Sequence, residues 1–169
     1  AAEAGDPETE ESPALTKAKA DISKSLGDMG DDLLATIHMA ANTAVFERTV
    51  DMIATMVAEP DLNLRVRGRL EDVITDETRV VVAHSLGTLV AYRALANGLD
   101  RNVHTFVTLG SPLGVAPVVA RLQPLRPLTL DWFDARDPRD VVALNPLTPE
   151  HFPIPAPVIT RTDAVRNET

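Results

Sequence analysis

The residue of this chain best suited to covalent chemistry is a serine in the pattern small-X-Ser-X-Gly. The pentapeptide Ala-His-Ser-Leu-Gly occupies residues 83–87. It directly follows Arg79 and the apolar run at residues 80–82, and it directly precedes an amphipathic segment at residues 88–95. A strand that turns through such a pentapeptide into a helix holds the serine hydroxyl exposed above a sheet, where it can attack a carbonyl carbon. Ser85 is therefore predicted to be a nucleophile.

Crowding in the turn explains the residue types around Ser85. The residues two before and two after the nucleophile lie close together, so both must be small. Gly87 satisfies this requirement, whereas Ala83 adds one methyl group where the pattern has glycine. The N-terminal amides of the following helix favour negative charge, which makes the Leu86 N–H a natural oxyanion donor. His84 is expected to shape the turn and to point away from Ser85. The alternative role of Ser85 itself is that of a helix N-cap.

A serine nucleophile of this kind needs an acid and a histidine base, which follow it along the chain in that order. Three aspartates lie at or after the end of the extended run at residues 128–133: Asp134, Asp137 and Asp140. Asp140 leads directly into Val141 and Val142, an apolar anchor for its loop, whereas Asp137 precedes a proline and is typical of a turn. Asp140 is therefore the predicted triad acid. Ion pairs with neighbouring arginines are the alternative role of either aspartate.

His151 is the only histidine after Asp140 and is therefore the candidate base. The two lie eleven positions apart in the sequence, which leaves little room for a helix and a strand between them. The proline-rich run at residues 152–155 favours an extended surface segment, in which the His151 ring has a structural role instead. Ser111 is a second candidate nucleophile by residue type, but it precedes Pro112 and opens no helix, which favours a turn.

Successive parts of the chain must position these residues. Residues 1–13 are acidic and nearly free of large apolar side chains, which predicts a disordered tail. The pattern from Leu15 to about Ile74 is helical. Within it, apolar residues at helical spacing from Leu33 onward predict a long amphipathic helix that ends near Pro60, followed by a second helix that extends to Ile74. Residues 79–113 predict strand, turn, helix and strand, a βαβ unit with parallel strands. Residues 14–169 are thus predicted to form one α/β domain, a parallel sheet with a helical N-terminal region.

Composition limits the partners and cofactors. The chain has 169 residues, 44% of them hydrophobic, enough to bury a single core. A net charge of −9 argues against nucleic acid or an anionic membrane surface as a partner, and no apolar stretch is long enough to predict a transmembrane helix. The chain has no cysteine, and its four histidines lack metal-ligand spacing, so no metal or other cofactor is expected. A cytoplasmic location is compatible with this composition.

Three blocks of sequence carry a resemblance to a known family. They are Val-Val-Val-Ala-His-Ser-Leu-Gly-Thr-Leu-Val-Ala-Tyr at residues 80–92, Phe-Val-Thr-Leu-Gly-Ser-Pro-Leu-Gly at residues 106–114, and residues 132–134 together with 137–147. In this order they resemble the α/β-hydrolase superfamily, and within it the bacterial serine esterase and lipase-like branch. The resemblance covers roughly residues 64–169. It implies a Ser-His-Asp hydrolase that acts on an ester or a similar acyl bond of a small molecule and uses no cofactor.

Two parts of the family pattern are missing from this sequence. The family's first strands end in a His-Gly motif whose loop supplies a second oxyanion amide, and no such segment precedes Ser85. The family also places its catalytic histidine after the last strand, beyond the point where this sequence ends, so the chain is expected to be a fragment. The alternative function is a catalytically silent hydrolase-like scaffold or partial domain, which binds a partner through the helical residues 15–74.

Overall fold

Helices and parallel strands alternate through the second half of the chain. The computed structural model describes residues 12–27, 43–99, 102–140, 142–143, 145–155, 159 and 161–166. All but the last two residues of the predicted acidic tail lie outside these ranges, as does the beginning of the amphipathic helix predicted from Leu33. Among the helices described, none combines the length and the apolar character needed to cross a lipid bilayer.

Within the described ranges, three helices precede the sheet: α1 (Pro13–Gly27), α2 (Thr43–Ala58) and α3 (Pro60–Glu71). The boundary between α2 and α3 falls at Glu59 and Pro60, where the sequence predicts a helix end. Pro60 lies in the first turn of α3, which tolerates proline because the N–H of that position has no intrahelical acceptor. Helix α3 corresponds to the second predicted helix, but it ends earlier than the sequence predicts. Val73 and Ile74 therefore lie beyond it, and Val73 is exposed.

The sheet has four parallel strands in the order β1-β2-β3-β4. The strands are β1 (Val80–His84), β2 (Thr105–Leu109), β3 (Asp131–Arg136) and β4 (Arg161–Ala164). Helix α4 (Gly87–Ala94) connects β1 to β2, and helix α5 (Ala116–Leu122) lies between β2 and β3. The predicted α/β class and the parallel pairing are therefore confirmed, whereas β4 and α5 have no counterpart in the sequence prediction.

One face of the sheet forms the core. Right-handed crossovers between strands in consecutive order pass on the same side, so α4 and α5 share this face. Alternate strand residues are buried against them: Val81, Ala83, Phe106, Thr108, Trp132 and Asp134. Four aromatic rings pack there with centroid separations of 5.1 to 5.8 Å: Tyr92, Phe106, Trp132 and Phe152. Farther out, α3 packs against α4, and α1 packs against α2 and α5.

The opposite face of the sheet carries exposed apolar side chains. Val80 and Val82 of β1 are 54% and 61% exposed, and Leu109 and Phe133 on the neighbouring strands are 37% and 38% exposed. Parallel sheets ordinarily bury both faces. The helices described here therefore leave this second face uncovered.

Candidate active site

Ser85 occupies the sharp turn between β1 and α4, at the carboxyl edge of the sheet. Its φ of +50° lies in the left-handed region, and among the described residues it is the only non-glycine with a positive φ. This backbone conformation costs an L-amino acid about 1–2 kcal/mol. Strain of this kind is concentrated at functional sites, where the surrounding structure holds it in place. The Ser85 side chain is partly exposed, and its hydroxyl bonds to no residue that the structure describes.

Three hydrogen bonds hold the backbone of Ser85 in this turn. Its N–H donates to the Leu109 carbonyl at 2.9 Å, which ties the turn to the end of β2. Its carbonyl accepts from the backbone N–H of Thr88 at 3.0 Å and from Thr88 Oγ1 at 2.7 Å. Thr88 is fully buried at the start of α4. The strained conformation is thus fixed from both the strand side and the helix side.

Ser111 supports the same turn from β2. Its Oγ lies 2.8 Å from Thr88 Oγ1. Because the one hydroxyl hydrogen of Thr88 is used by the Ser85 carbonyl, Ser111 is the donor in this pair. Ser111 Oγ also accepts from the Leu113 N–H at 3.2 Å and caps the short 3-10 turn Pro112–Gly114. Ser111 is 2% exposed and caps a turn, which agrees with the turn role that the sequence favours for it.

Leu86, the predicted oxyanion donor, is the first residue after Ser85 and directly precedes α4. Its backbone is right-handed helical, with φ −57° and ψ −27°. Its N–H donates to no acceptor in the part of the chain that the structure describes. An unused N–H at the positive end of a helix dipole is suited to stabilise an oxyanion beside Ser85.

Asp140 lies at the same edge of the sheet. Its Oδ1 accepts from the Val142 N–H at 2.9 Å, which fixes the carboxylate within its loop. Its Oδ2 lies against Gly110, the first residue after β2: a Cβ built on Gly110 would be 3.0 Å from this oxygen. Gly110 has a φ of +54° and donates its N–H to the Ala135 carbonyl at 3.0 Å. The Asp140 carboxylate therefore sits where β2 ends, next to the strand end that carries Ser85.

His84 lies beside the same glycine as this carboxylate. A Cβ built on Gly110 would lie 3.6 Å from His84 Nε2, so His84 and Asp140 flank the same residue. The cause is the strand register, which pairs His84 with Leu109 and so places its side chain beside Gly110. The pentapeptide pattern around Ser85 contains no information about this pairing, which depends on β2.

The two other aspartates have structural contacts. Asp137 accepts from the Arg139 N–H at 2.9 Å and pairs with the Arg139 guanidinium at 2.8 Å, in agreement with the turn predicted before Pro138. Asp134 is 3% exposed and belongs to the buried face of β3. It accepts from Thr108 Oγ1 at 2.7 Å and from Thr162 Oγ1 at 2.9 Å, and so connects β2, β3 and β4.

Burial raises the pKa of the Asp134 carboxyl above its ordinary value. Hydrogen bonds from Thr108, Thr162 and the Leu147 backbone, together with the charge of Arg136, act in the opposite direction without cancelling the effect. Desolvation dominates because water cannot solvate the carboxylate in the core. Asp134 is therefore a buried polar connection within the sheet, a role that the sequence does not predict.

His151, the predicted base, lies in the turn that follows Thr148. Its backbone N–H donates to the Thr148 carbonyl at 3.0 Å. The next residue, Phe152, anchors the segment by packing edge-on against Tyr92 and Trp132. No hydrogen bond joins the His151 ring to Ser85, to Asp140 or to another described residue. The structure thus groups Ser85, Leu86 and Asp140 at one edge, and it adds His84 to that group.

The chain matches no protein-family model, no curated protein and no solved structure. Among the described residues, no group of three or more histidine or carboxylate side chains is arranged so that it could hold a metal ion.

Proposed function

We propose that this protein is a serine hydrolase of the α/β-hydrolase type, which cleaves an ester or a related acyl bond of a small molecule. The observation that carries the proposal is the strained backbone of Ser85, with a φ of +50° in the turn from β1 into α4. A serine on a strained strand-to-helix turn is exposed to substrate above the sheet in α/β-hydrolases. The parallel sheet and the three sequence blocks at residues 80–92, 106–114 and 132–147 support the same assignment.

The proposed reaction is acyl transfer in two steps. Ser85 Oγ attacks the carbonyl carbon of the substrate, and its proton passes to the imidazole of the base. The carbonyl oxygen becomes an oxyanion, which accepts a hydrogen bond from the Leu86 N–H. The bond to the alcohol oxygen then breaks, and the imidazolium returns its proton to this leaving group. In the second step, water gives a proton to the imidazole and attacks the acyl-Ser85 ester. The bond to Ser85 Oγ then breaks, the imidazolium returns the proton to this oxygen, and the carboxylic acid leaves.

Asp140 is the proposed acid of the triad. Its Oδ1 is used by the Val142 N–H, so Oδ2, which lies against Gly110, is the oxygen that can accept from an imidazole. A carboxylate in this position fixes the tautomer of the imidazole and stabilises the imidazolium. His151 is the proposed base because it follows Asp140 along the chain.

Hydrolysis of p-nitrophenyl esters of increasing acyl length tests the proposal. The wild-type chain should release p-nitrophenol faster than buffer does, and Ser85→Ala should abolish this rate. Ser111→Ala is the matched control, since it removes a buried serine of the same edge. It leaves the hydrogen bond from Thr88 Oγ1 to the Ser85 carbonyl in place, so it should retain most of the rate. Loss of the rate in His151→Gln but not in His84→Gln supports His151 as the base, whereas the opposite pattern assigns that role to His84.

The alternative function, a catalytically silent scaffold or partial domain, is favoured by one observation. The uncovered face of the sheet exposes Val80, Val82, Leu109 and Phe133, and contiguous apolar patches of this kind are typical of binding surfaces. A folded wild-type chain that hydrolyses no ester, whatever its acyl length, would favour this alternative.

A further inference from the structure

An arginine-lined cavity lies at the end of α4 that is remote from Ser85. Its volume is about 330 Å³, and its walls come from α3, from the C-terminal part of α4 and from the segment that follows α5. Four arginines line it: Arg67, Arg93, Arg121 and Arg126. Leu64 and Val90 contribute apolar surface to the same cavity. Both the size and the mixture of apolar walls with a few polar groups are typical of a small-molecule site.

The positive charge of this cavity exceeds the negative charge around it. Arg67 forms an ion pair with Glu71 of the same helix. Arg93 donates from Nη2 to the backbone carbonyl of Arg121 at 3.0 Å, an acceptor without formal charge. Arg121 and Arg126 form no ion pair with any residue in the described ranges. The surplus is notable in a chain whose net charge is −9.

The guanidinium groups are close enough to affect one another and their neighbours. Burial lowers the pKa of Arg93, and the charge of Arg121 lowers it further. Burial raises the pKa of the Tyr92 hydroxyl, whereas the hydrogen bond with the Arg126 backbone and the charge of Arg126 lower it. An anion among these groups would relieve the repulsion and accept from their unused N–H donors.

We infer that this cavity binds a phosphomonoester with a short apolar group, whose phosphate contacts Arg121 and Arg126 and whose apolar group packs against Leu64 and Val90. The planar guanidinium fork matches the geometry of phosphate oxygens. A phosphomonoester carries close to two negative charges at neutral pH, so it complements two unpaired arginines better than a carboxylate does. This site is separate from the proposed acyl chemistry, because Ser85 precedes α4, whereas the α4 residues that line the cavity begin at Val90 and Ser85 is not among its walls.

Calorimetric titration of the whole chain with three probes tests the ligand class. The probes are n-hexyl phosphate, inorganic phosphate and hexanoate, which separate the contributions of the phosphate and of the apolar group. We expect saturable binding of n-hexyl phosphate at one site per chain, about tenfold tighter than either other probe. Absence of saturable binding would overturn the inference, and so would binding of hexanoate as tight as that of n-hexyl phosphate.

Substitutions then locate the site. Arg121→Gln and Arg126→Gln should each weaken n-hexyl phosphate binding about tenfold, since each removes a charge-assisted hydrogen bond. Arg126→Gln keeps the fold, because the Tyr92 hydroxyl bonds to the backbone N and O of residue 126 and not to its side chain. Arg65→Gln is the matched control, an exposed arginine of α3 that does not line the cavity. Unchanged binding in both test variants, or equal weakening in Arg65→Gln, would refute the assignment.

Ser85→Ala separates this inference from the proposed function. It should bind n-hexyl phosphate as tightly as the wild-type chain, even though its esterase rate is expected to be lost. Loss of phosphate binding in Ser85→Ala would place the bound probe at the Ser85 site and contradict the inference.

Discussion

The carboxylate of Asp140 lies against the backbone of Gly110, with Oδ2 only 3.0 Å from the position that a Cβ on Gly110 would occupy. Gly110 follows the strand residue Leu109, whose carbonyl holds the Ser85 N–H at 2.9 Å. The absence of a side chain at position 110 thus lets the Asp140 loop close over the end of β2. It also permits the φ of +54° at this position.

Gly110→Ala is expected to slow acylation of Ser85 as well as to destabilise the fold. The added Cβ must displace Asp140 Oδ2, and the left-handed backbone costs about 1–2 kcal/mol for an L residue. Urea denaturation measures the free energy of unfolding, and the rate of ester hydrolysis measures the effect on the site.

Gly98→Ala is the control for Gly110→Ala. Gly98 also has a positive φ, +100°, but a Cβ there meets no atom within 4 Å. Both variants should lose stability, and only Gly110→Ala should lose activity beyond the loss of folded protein. An equal loss of activity in the two variants would mean that the contact with Asp140 has no catalytic consequence.

Asp140→Asn is expected to lower the rate of ester hydrolysis by about 10³–10⁴ while the loop is retained. The asparagine Oδ1 can still accept from the Val142 N–H, which bonds to this oxygen at 2.9 Å in the wild type. The negative charge that stabilises an imidazolium is lost. Asp137→Asn, in the same loop, should change the rate less than about tenfold, because Asp137 pairs with Arg139. The reverse order of the two effects would identify Asp137 as the triad acid.

Thr88→Val is expected to reduce both stability and activity. Valine preserves the shape of the side chain but removes the 2.7 Å hydrogen bond to the Ser85 carbonyl and leaves the buried Ser111 hydroxyl without this acceptor. The cost in unfolding free energy is about 1–3 kcal/mol. The rate of hydrolysis by the folded fraction should fall, since the turn at Ser85 is held less firmly. Thr129→Val, at an exposed position, should leave both quantities unchanged.

Ser85→Gly should be more stable than Ser85→Ala by about 1 kcal/mol, because glycine adopts the left-handed region without strain. Urea denaturation of the two inactive variants gives the difference directly. The same pair at Ser111 is the control, since its φ of −87° suits any residue and glycine should be the less stable variant there. Equal stability of Ser85→Gly and Ser85→Ala would show that the turn is not strained.

Asp134 should make the protein lose stability as the pH rises from about 4 toward neutral. Its raised pKa means that the folded state holds the proton more tightly than the unfolded state does. The resulting stabilisation is fully present below the ordinary aspartate pKa and is lost as the pH rises through the raised value. Asp134→Asn removes this pH-dependent stabilisation. The asparagine amide can still accept a hydrogen bond from Thr108 and donate one to Thr162.

Urea denaturation over the same pH range checks this prediction. The unfolding free energy of Asp134→Asn relative to the wild type should increase with pH. Asp131→Asn, which changes an exposed aspartate of the same strand, serves as the comparison. A difference between Asp134→Asn and the wild type that stays constant with pH would contradict the predicted direction.

Local patterns predict much of the frame around Ser85. The sequence pattern predicts the end of α2 before Pro60, the strands β1 and β2 from their apolar runs, and the turn between β1 and α4. Helix α4 continues into a short π-helical turn, Leu95–Leu99, which departs from helical geometry at Asn97 and at Gly98, where φ is +100° and the sequence predicts a turn. These features depend on neighbours within a few residues.

Features that depend on distant contacts are not predictable from such patterns. Strand β4, Arg161–Ala164, is polar and short, and it is defined by its pairing with β3. Helix α5 lies in a proline-rich stretch, and it accommodates Pro117 because this residue is in its first turn. The proximity of His84 to Asp140 and the arginine cavity likewise combine residues that are far apart in the chain.

Intact-mass labelling with a fluorophosphonate probe tests the central claim most directly, since such a probe reacts with an activated serine. Wild-type protein, Ser85→Ala and Ser111→Ala are compared after their folding has been verified by urea denaturation. We predict one adduct per chain in the wild type and in Ser111→Ala, mapped to Ser85, and none in Ser85→Ala. Folded wild-type protein that stays unlabelled, or an adduct that persists in Ser85→Ala, would contradict the assignment of Ser85 as the nucleophile.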